Sequence, residues 1–113
     1  MPRLEIYKDR KNFSLLDNER IEELRGLLQS WDCIEDKLLR KRYNFDSYHA
    51  AKKFVDVVAQ FAEDVNHHPE LLFGYKFVEV SIWTHNVNGL SRVDFAYTQD
   101  LDDLYENSLS SSC

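Results

Sequence analysis

Residues that cross-link a chain or punctuate it are scarce here: 113 positions hold two cysteines, three glycines and two prolines. Cys33 and Cys113, the latter ending a serine tail, do not make a disulfide framework, so the fold must stand on its core and a reducing compartment is expected. There is no glycine-rich phosphate loop and no glycine-flanked serine elbow, and Cys33 has no base beside it. Those absences argue against phosphate-loop chemistry and against serine or cysteine nucleophiles. No apolar run approaches a membrane span, and Met1-Pro2-Arg3 leads into mixed charged and apolar residues, which predicts a cytosolic protein without a signal segment. Positive charge is also short: 14 basic residues stand against 20 acidic ones, a net charge of −6 that works against direct nucleic-acid binding. The local exception, Lys37, Arg40, Lys41 and Arg42, reads as a solvated strand face or a binding rim.

What is present suits one globular domain spanning 1–113, with a core at about residues 17–106: 43% of positions are apolar and 13% aromatic. Residues 1–16 show no firm period, and the tail from Ser108 to Cys113 is expected to fray. Neither end carries an obvious site. Asp17 is placed to cap a first helix in which Ile21, Leu24 and Leu28 recur at helical spacing, ending near Gln29. Residues 31–35 and 38–45 read as a strand pair around Asp36-Lys37, with Leu39, Lys41, Tyr43 and Phe45 alternating against Arg40, Arg42 and Asn44. Asp46 or Ser47 then caps a longer helix whose stripe is Ala51, Phe54, Val55, Val58, Ala62 and Val65. Pro69 stops it before His68, with Asn66 as a left-handed terminator. A short strand at 70–73, a half-buried strand at 75–84, a turn at Asn88-Gly89 and a last helix at 94–105 complete the order α-β-β-α-β-β-α. This is an α+β fold: a four-stranded antiparallel sheet with three helices on one face.

Three of the four histidines bunch as His67, His68 and His85, with Glu63 before them and Asp94 after. Imidazole titrates near neutral pH, so the cluster invites proton-transfer chemistry. His67 and His68 fall at the carboxyl end of the long helix, where partial negative charge favours cations, which suits a general acid. Glu63, four residues before His67, can accept its N–H and orient the ring, although an exposed pair of that spacing is also an ordinary surface feature. Alternation along the fourth strand sends Phe77, Ser81, Trp83 and His85 away from the helices, a pattern for a flat aromatic ligand or for a subunit interface. Three histidines can hold zinc, but adjacent ones diverge, and no cysteine lies near them, so no metal site is expected. Asp94 has a structural reading of its own, as the capping-box partner of Ser91.

Taken together, Phe45, Glu63, His67-His68-Pro69-Glu70, Tyr75, Val78, Thr84-His85, Gly89-Leu90-Ser91 and Asp94 closely resemble the pterin-4a-carbinolamine dehydratase family, over about residues 17–106. The resemblance implies a four-stranded antiparallel sheet with three helices on one side, assembled as a homodimer or homotetramer. It implies loss of water from a 4a-hydroxytetrahydropterin to give the quinonoid dihydropterin, in the recycling of tetrahydrobiopterin, without metal or organic cofactor. By similarity His67, His68 and His85 are the catalytic or substrate-contacting histidines, Glu63 and Asp94 their supporting carboxylates, and Asn66, Trp83, Thr84 and Asn86 the substrate-contacting neighbours. Family members in animals also serve as dimerisation cofactors for a homeodomain transcription factor, which implies a possible protein partner and a nuclear as well as a cytoplasmic location. The chain departs from the family pattern at Asn66, Leu71 and Thr98, none of which removes an acid or a base.

Overall fold

The computed structural model describes residues 4–111. Its elements are α1 (Leu4–Lys8), α2 (Asn18–Arg25), β1 (Asp32–Ile34), β2 (Leu38–Asn44), α3 (Tyr48–Val65), β3 (Glu70–Phe73), β4 (Phe77–Ile82) and α4 (Arg92–Ser111), with single 3₁₀ turns at Arg10–Phe13 and His85–Val87. The strands form one antiparallel sheet in the order β1-β2-β4-β3. The expected α+β architecture is therefore present, with one helix more than the three read from the sequence. That extra helix, α1, has only five residues, and no period announces it. It is held by packing, with Tyr7 buried edge-on against Phe61 and Tyr97 and its hydroxyl donating to Asp100 Oδ2 at 2.7 Å.

Strand alternation divides the sheet cleanly. Leu39, Tyr43, Val78, Val80 and Ile82 are buried on one face with Phe54 and Val58 of α3 and Val93, Tyr97 and Leu101 of α4. Each such side chain contributes roughly 1.5–3 kcal/mol when fully buried. The opposite face carries Arg40, Arg42 and Glu79, and the predicted basic cluster is split by this alternation. Lys41 turns inward to Asp102, Arg40 donates to Ser81 Oγ at 2.9 Å, and Arg42 lies over the Phe77 ring, 3.9 Å from its centroid. The turn joining β1 to β2 holds Glu35 and Asp36 at φ 52° and 56°, the left-handed pair that suits a tight hairpin.

Several boundaries differ from the expected ones. The first helix stops at Arg25 rather than near Gln29, because Gly26 ends it and Leu27 and Leu28 close tight turn bonds onto Leu24 and Arg25. β4 stops at Ile82 rather than Thr84, for a reason that belongs to the site. The last helix runs from Arg92 to Ser111, so Ser108 to Ser111 continue it instead of fraying, while Ser112 and Cys113 lie outside the described residues. Among the described residues no helix is long and apolar enough to cross a membrane.

Candidate active site

The end of α3 aims the two adjacent histidines in different directions. Ser47 caps the helix start by accepting from Ala50 N, and the apolar stripe carries the helix to Val65. There Asn66 adopts φ 54°, ψ 45°, and the N–H groups of Asn66 and His67 both donate to the Ala62 carbonyl. Reversal at a left-handed residue turns His67 back into the protein while His68 stays outside. His67 is 6% exposed, edge-on to the rings of Phe13 and Tyr97, and its Nε2 lies 2.7 Å from Asp94 Oδ1. His68 Nε2 lies 3.3 Å from Glu63 Oε1, both side chains being more than half exposed.

Asp94 is prepared by the segment that follows β4. A backbone bridge between Thr84 and Gly89 ends β4 early and folds residues 85–87 into a 3₁₀ turn that closes at Asn88, φ 52°. The bridge sets Thr84 and Ser91 side by side over the first turn of α4. Ser91 Oγ lies 2.6 Å from Thr84 Oγ1, which donates to Asp94 Oδ2 at 2.8 Å, and the Ser91 N–H donates to the same oxygen at 2.8 Å. The capping reading of Asp94 is therefore half of its role: Oδ2 returns to Ser91, whereas Oδ1 holds a histidine. A carboxylate oxygen accepts, so in this pairing His67 Nε2 carries the hydrogen. Nδ1 is then the nitrogen left to take or give a proton.

The two stretches meet at a hollow of about 220 Å³ lined by Phe13, Asn66, His67, His68, Thr84, His85 and Asn86. Asn66, Thr84 and Asn86, named from the sequence, thus share one wall with the three histidines. Trp83 does not line the hollow; it is half-buried beside the core and stands against His85, ring centroids 4.4 Å apart. Glu63 reaches the site only through His68, which corrects the expected Glu63–His67 pair: the reversal at Asn66 removes His67 from the helical face that Glu63 occupies. His85 opens the 3₁₀ turn instead of ending a strand. Phe13 was missed altogether, since its segment was read as carrying no site. Tyr97, packed on His67, was missed for a related reason, a core aromatic being silent about what it touches. Burial, then Asp100 and Asp94, push the Tyr97 hydroxyl above its ordinary value, so it stays neutral beside the histidine. Among the described residues no three His, Cys, Asp or Glu side chains converge as a metal set. Burial and then Asp36 push the Cys33 thiol up, which keeps it unreactive.

Comparison with known proteins bears on the same residues. A protein of Rubrobacter xylanophilus named, provisionally, as a pterin-4-alpha-carbinolamine dehydratase is 34% identical over 89 residues, covering 79% of this chain and 83% of its own length. One of Dechloromonas aromatica, named in the same way, is 37% identical over 91 residues, 80% of each chain. Among solved structures, a transcriptional coactivator/pterin dehydratase from Brucella melitensis superposes with a TM-score of 0.75 at 24% identity, over 81% of this chain and 99% of that one, a likeness of fold. A pterin dehydratase-like RuBisCO assembly factor of the alpha-carboxysome gives a TM-score of 0.59 at 25% identity, over 70% and 93%. The family model for pterin 4 alpha carbinolamine dehydratase matches residues 14–104, which takes in the sheet, α2, α3, α4 as far as Leu104 and every residue of the hollow except Phe13. By that match the chain belongs to the pterin 4 alpha carbinolamine dehydratase family.

Proposed function

We propose that the hollow removes water from a 4a-hydroxytetrahydropterin by histidine acid–base catalysis, giving the quinonoid dihydropterin. His67 Nδ1 delivers a proton to the 4a-hydroxyl, the C4a–O bond breaks as the N5 lone pair forms the N5=C4a bond, and water leaves. His68 accepts the proton from N5, so one proton enters and one departs. Each well-placed group of this kind contributes roughly 10²- to 10⁴-fold. Asp94 fixes the ring of His67 and balances its charge when it is protonated, Glu63 steadies His68, and His85, backed by Trp83, offers its ring to the flat heterocycle. Asn66, Thr84 and Asn86 supply polar edges around it. No step calls on a metal or an organic cofactor.

The observation that carries this reading is the buried His67–Asp94 pair opening on a hollow shared with two further histidines. The test follows the disappearance of freshly generated 4a-hydroxytetrahydropterin with and without the protein, in the presence of a chelator. Faster decay is expected, and decay at the spontaneous rate contradicts the reading.

Self-assembly has support of its own. β3 is an edge strand, and beside it Tyr48 stacks on Phe73 with centroids 4.9 Å apart, while Leu72 and Tyr75 are 54% and 70% exposed. An unpaired edge flanked by exposed apolar side chains favours pairing with another copy as a dimer or tetramer. Sedimentation would show a species heavier than the 13.4 kDa monomer.

A further inference from the structure

The histidine hollow has a neighbour across Asn66 and Asn86. Those two residues and Phe13 also line a second hollow of about 310 Å³, whose other walls are Tyr7, Lys8, Arg10 and Val65. Site volumes for small ligands run about 300–1,000 Å³, so the histidine hollow alone is small for a substituted bicyclic ligand, and the two together are not. Among the described residues no acidic side chain lines either one. Two cations therefore face the extension in a chain whose net charge is −6. Among the described residues the ion pair of Lys8 is with Glu5, at 3.6 Å between exposed side chains, a weak pairing. The side chain of Arg10 has no hydrogen bond or ion pair among the described residues, and its neighbour Asp9 is occupied in accepting from Lys11 N at 3.0 Å.

The segment is held in place at several points. Tyr7 is anchored on Asp100 and between two rings, Asn12 Nδ2 donates to the Ile6 carbonyl at 3.0 Å, and Leu16 N donates to the Leu90 carbonyl at 2.9 Å. Lys8 and Arg10 precede residue 14, where the family match begins. We infer that Lys8 and Arg10 receive the negatively charged end of the substrate's side chain: the pterin bound here carries a phosphate or carboxylate group that passes between Asn66 and Asn86. This rests on reading the histidine hollow as the pterin site. A guanidinium bonds such groups in a fork and is suited to the task.

The test measures equilibrium binding, by quenching of pterin fluorescence, for three ligands: a neutral pterin with a hydroxylated side chain, a pterin phosphate monoester and a pteroylglutamate. With the native chain at low salt, at least one anionic ligand is expected to bind about 10- to 100-fold more tightly than the neutral one. Comparing the two anionic ligands separates phosphate from carboxylate. Arg10→Gln is expected to remove most of that advantage, Lys8→Gln a smaller part, and neither to change the neutral ligand's affinity; added salt narrows the gap in the native chain. Equal affinity for neutral and anionic pterins, unmoved by Arg10→Gln, overturns the inference and leaves the pterin site standing. Failure of all three to bind overturns both.

Discussion

Helix α4 carries two carboxylates roughly two turns apart, Asp94 and Asp102, each of which gathers several donors, and their partners set their tasks apart. Asp102 offers a single oxygen: Oδ1 accepts from Tyr43 OH at 2.6 Å, Lys41 Nζ at 2.8 Å and Trp31 Nε1 at 3.1 Å. None of the three changes charge near neutral pH, and Tyr43 is pushed well above the ordinary tyrosine value by burial and then by its bond to Asp102. The cluster ties β2 and Trp31 to the helix. Asp94 divides its oxygens instead. Oδ2 takes neutral donors that lock the turn after β4, and Oδ1 is given to the one kind of side chain that can exchange a proton at neutral pH. The same kind of side chain is thus a fastener in one place and a support for chemistry in the other, according to its partner.

Breaking the two clusters in parallel should separate these tasks. Asp94→Asn is expected to slow dehydration about 100-fold or more while Asp102→Asn changes the rate less than about threefold, measured as kcat/KM on the 4a-carbinolamine. Asp102→Ala, which strands the Lys41 charge and two further donors, should lower unfolding free energy by about 2–3 kcal/mol in urea titrations. The next effect is on pH. Tyr43 and Tyr97 both sit above their ordinary value of 10.0, so the unfolded chain releases protons there that the folded chain retains. Stability should therefore be intact below about pH 10 and fall as pH rises beyond it. Tyr43→Phe should flatten part of that slope, as read from urea midpoints between pH 8 and pH 11. The smallest change belongs to the exposed pair: Glu63→Gln should alter kcat/KM by no more than about fivefold, in keeping with surface ion pairs.

The contrast also shows what could be read in advance. Alternation in β2 and β4 and the stripe of α3 were legible because periodic burial leaves a periodic sequence, and Asn66 before His67-His68-Pro69 marked the end of α3 correctly. The three histidines, with Asn66, Thr84 and Asn86 named through the family resemblance, line one hollow, and Asp94 stands behind His67. Which carboxylate serves which histidine was not legible, because spacing along a helix assumes that the helix continues, and it reverses one residue before His67. Lys41 was read as part of a basic face, although its position in the alternation already placed it with Leu39 and Tyr43; its inward partner, Asp102, lies 61 residues away. Nothing local in Tyr7, Arg10 or Phe13 announces a wall, since α1 and its turn owe their placement to contacts with α3 and α4.

If His67 acts through Asp94, the two residues are one unit, and a double-mutant cycle on kcat/KM with the 4a-carbinolamine tests it most directly. His67→Ala should cost roughly 10²- to 10⁴-fold, and adding Asp94→Asn to it should cost no more than about a further twofold. Losses that multiply, with the double variant slower by the product of the two single effects, would contradict the account.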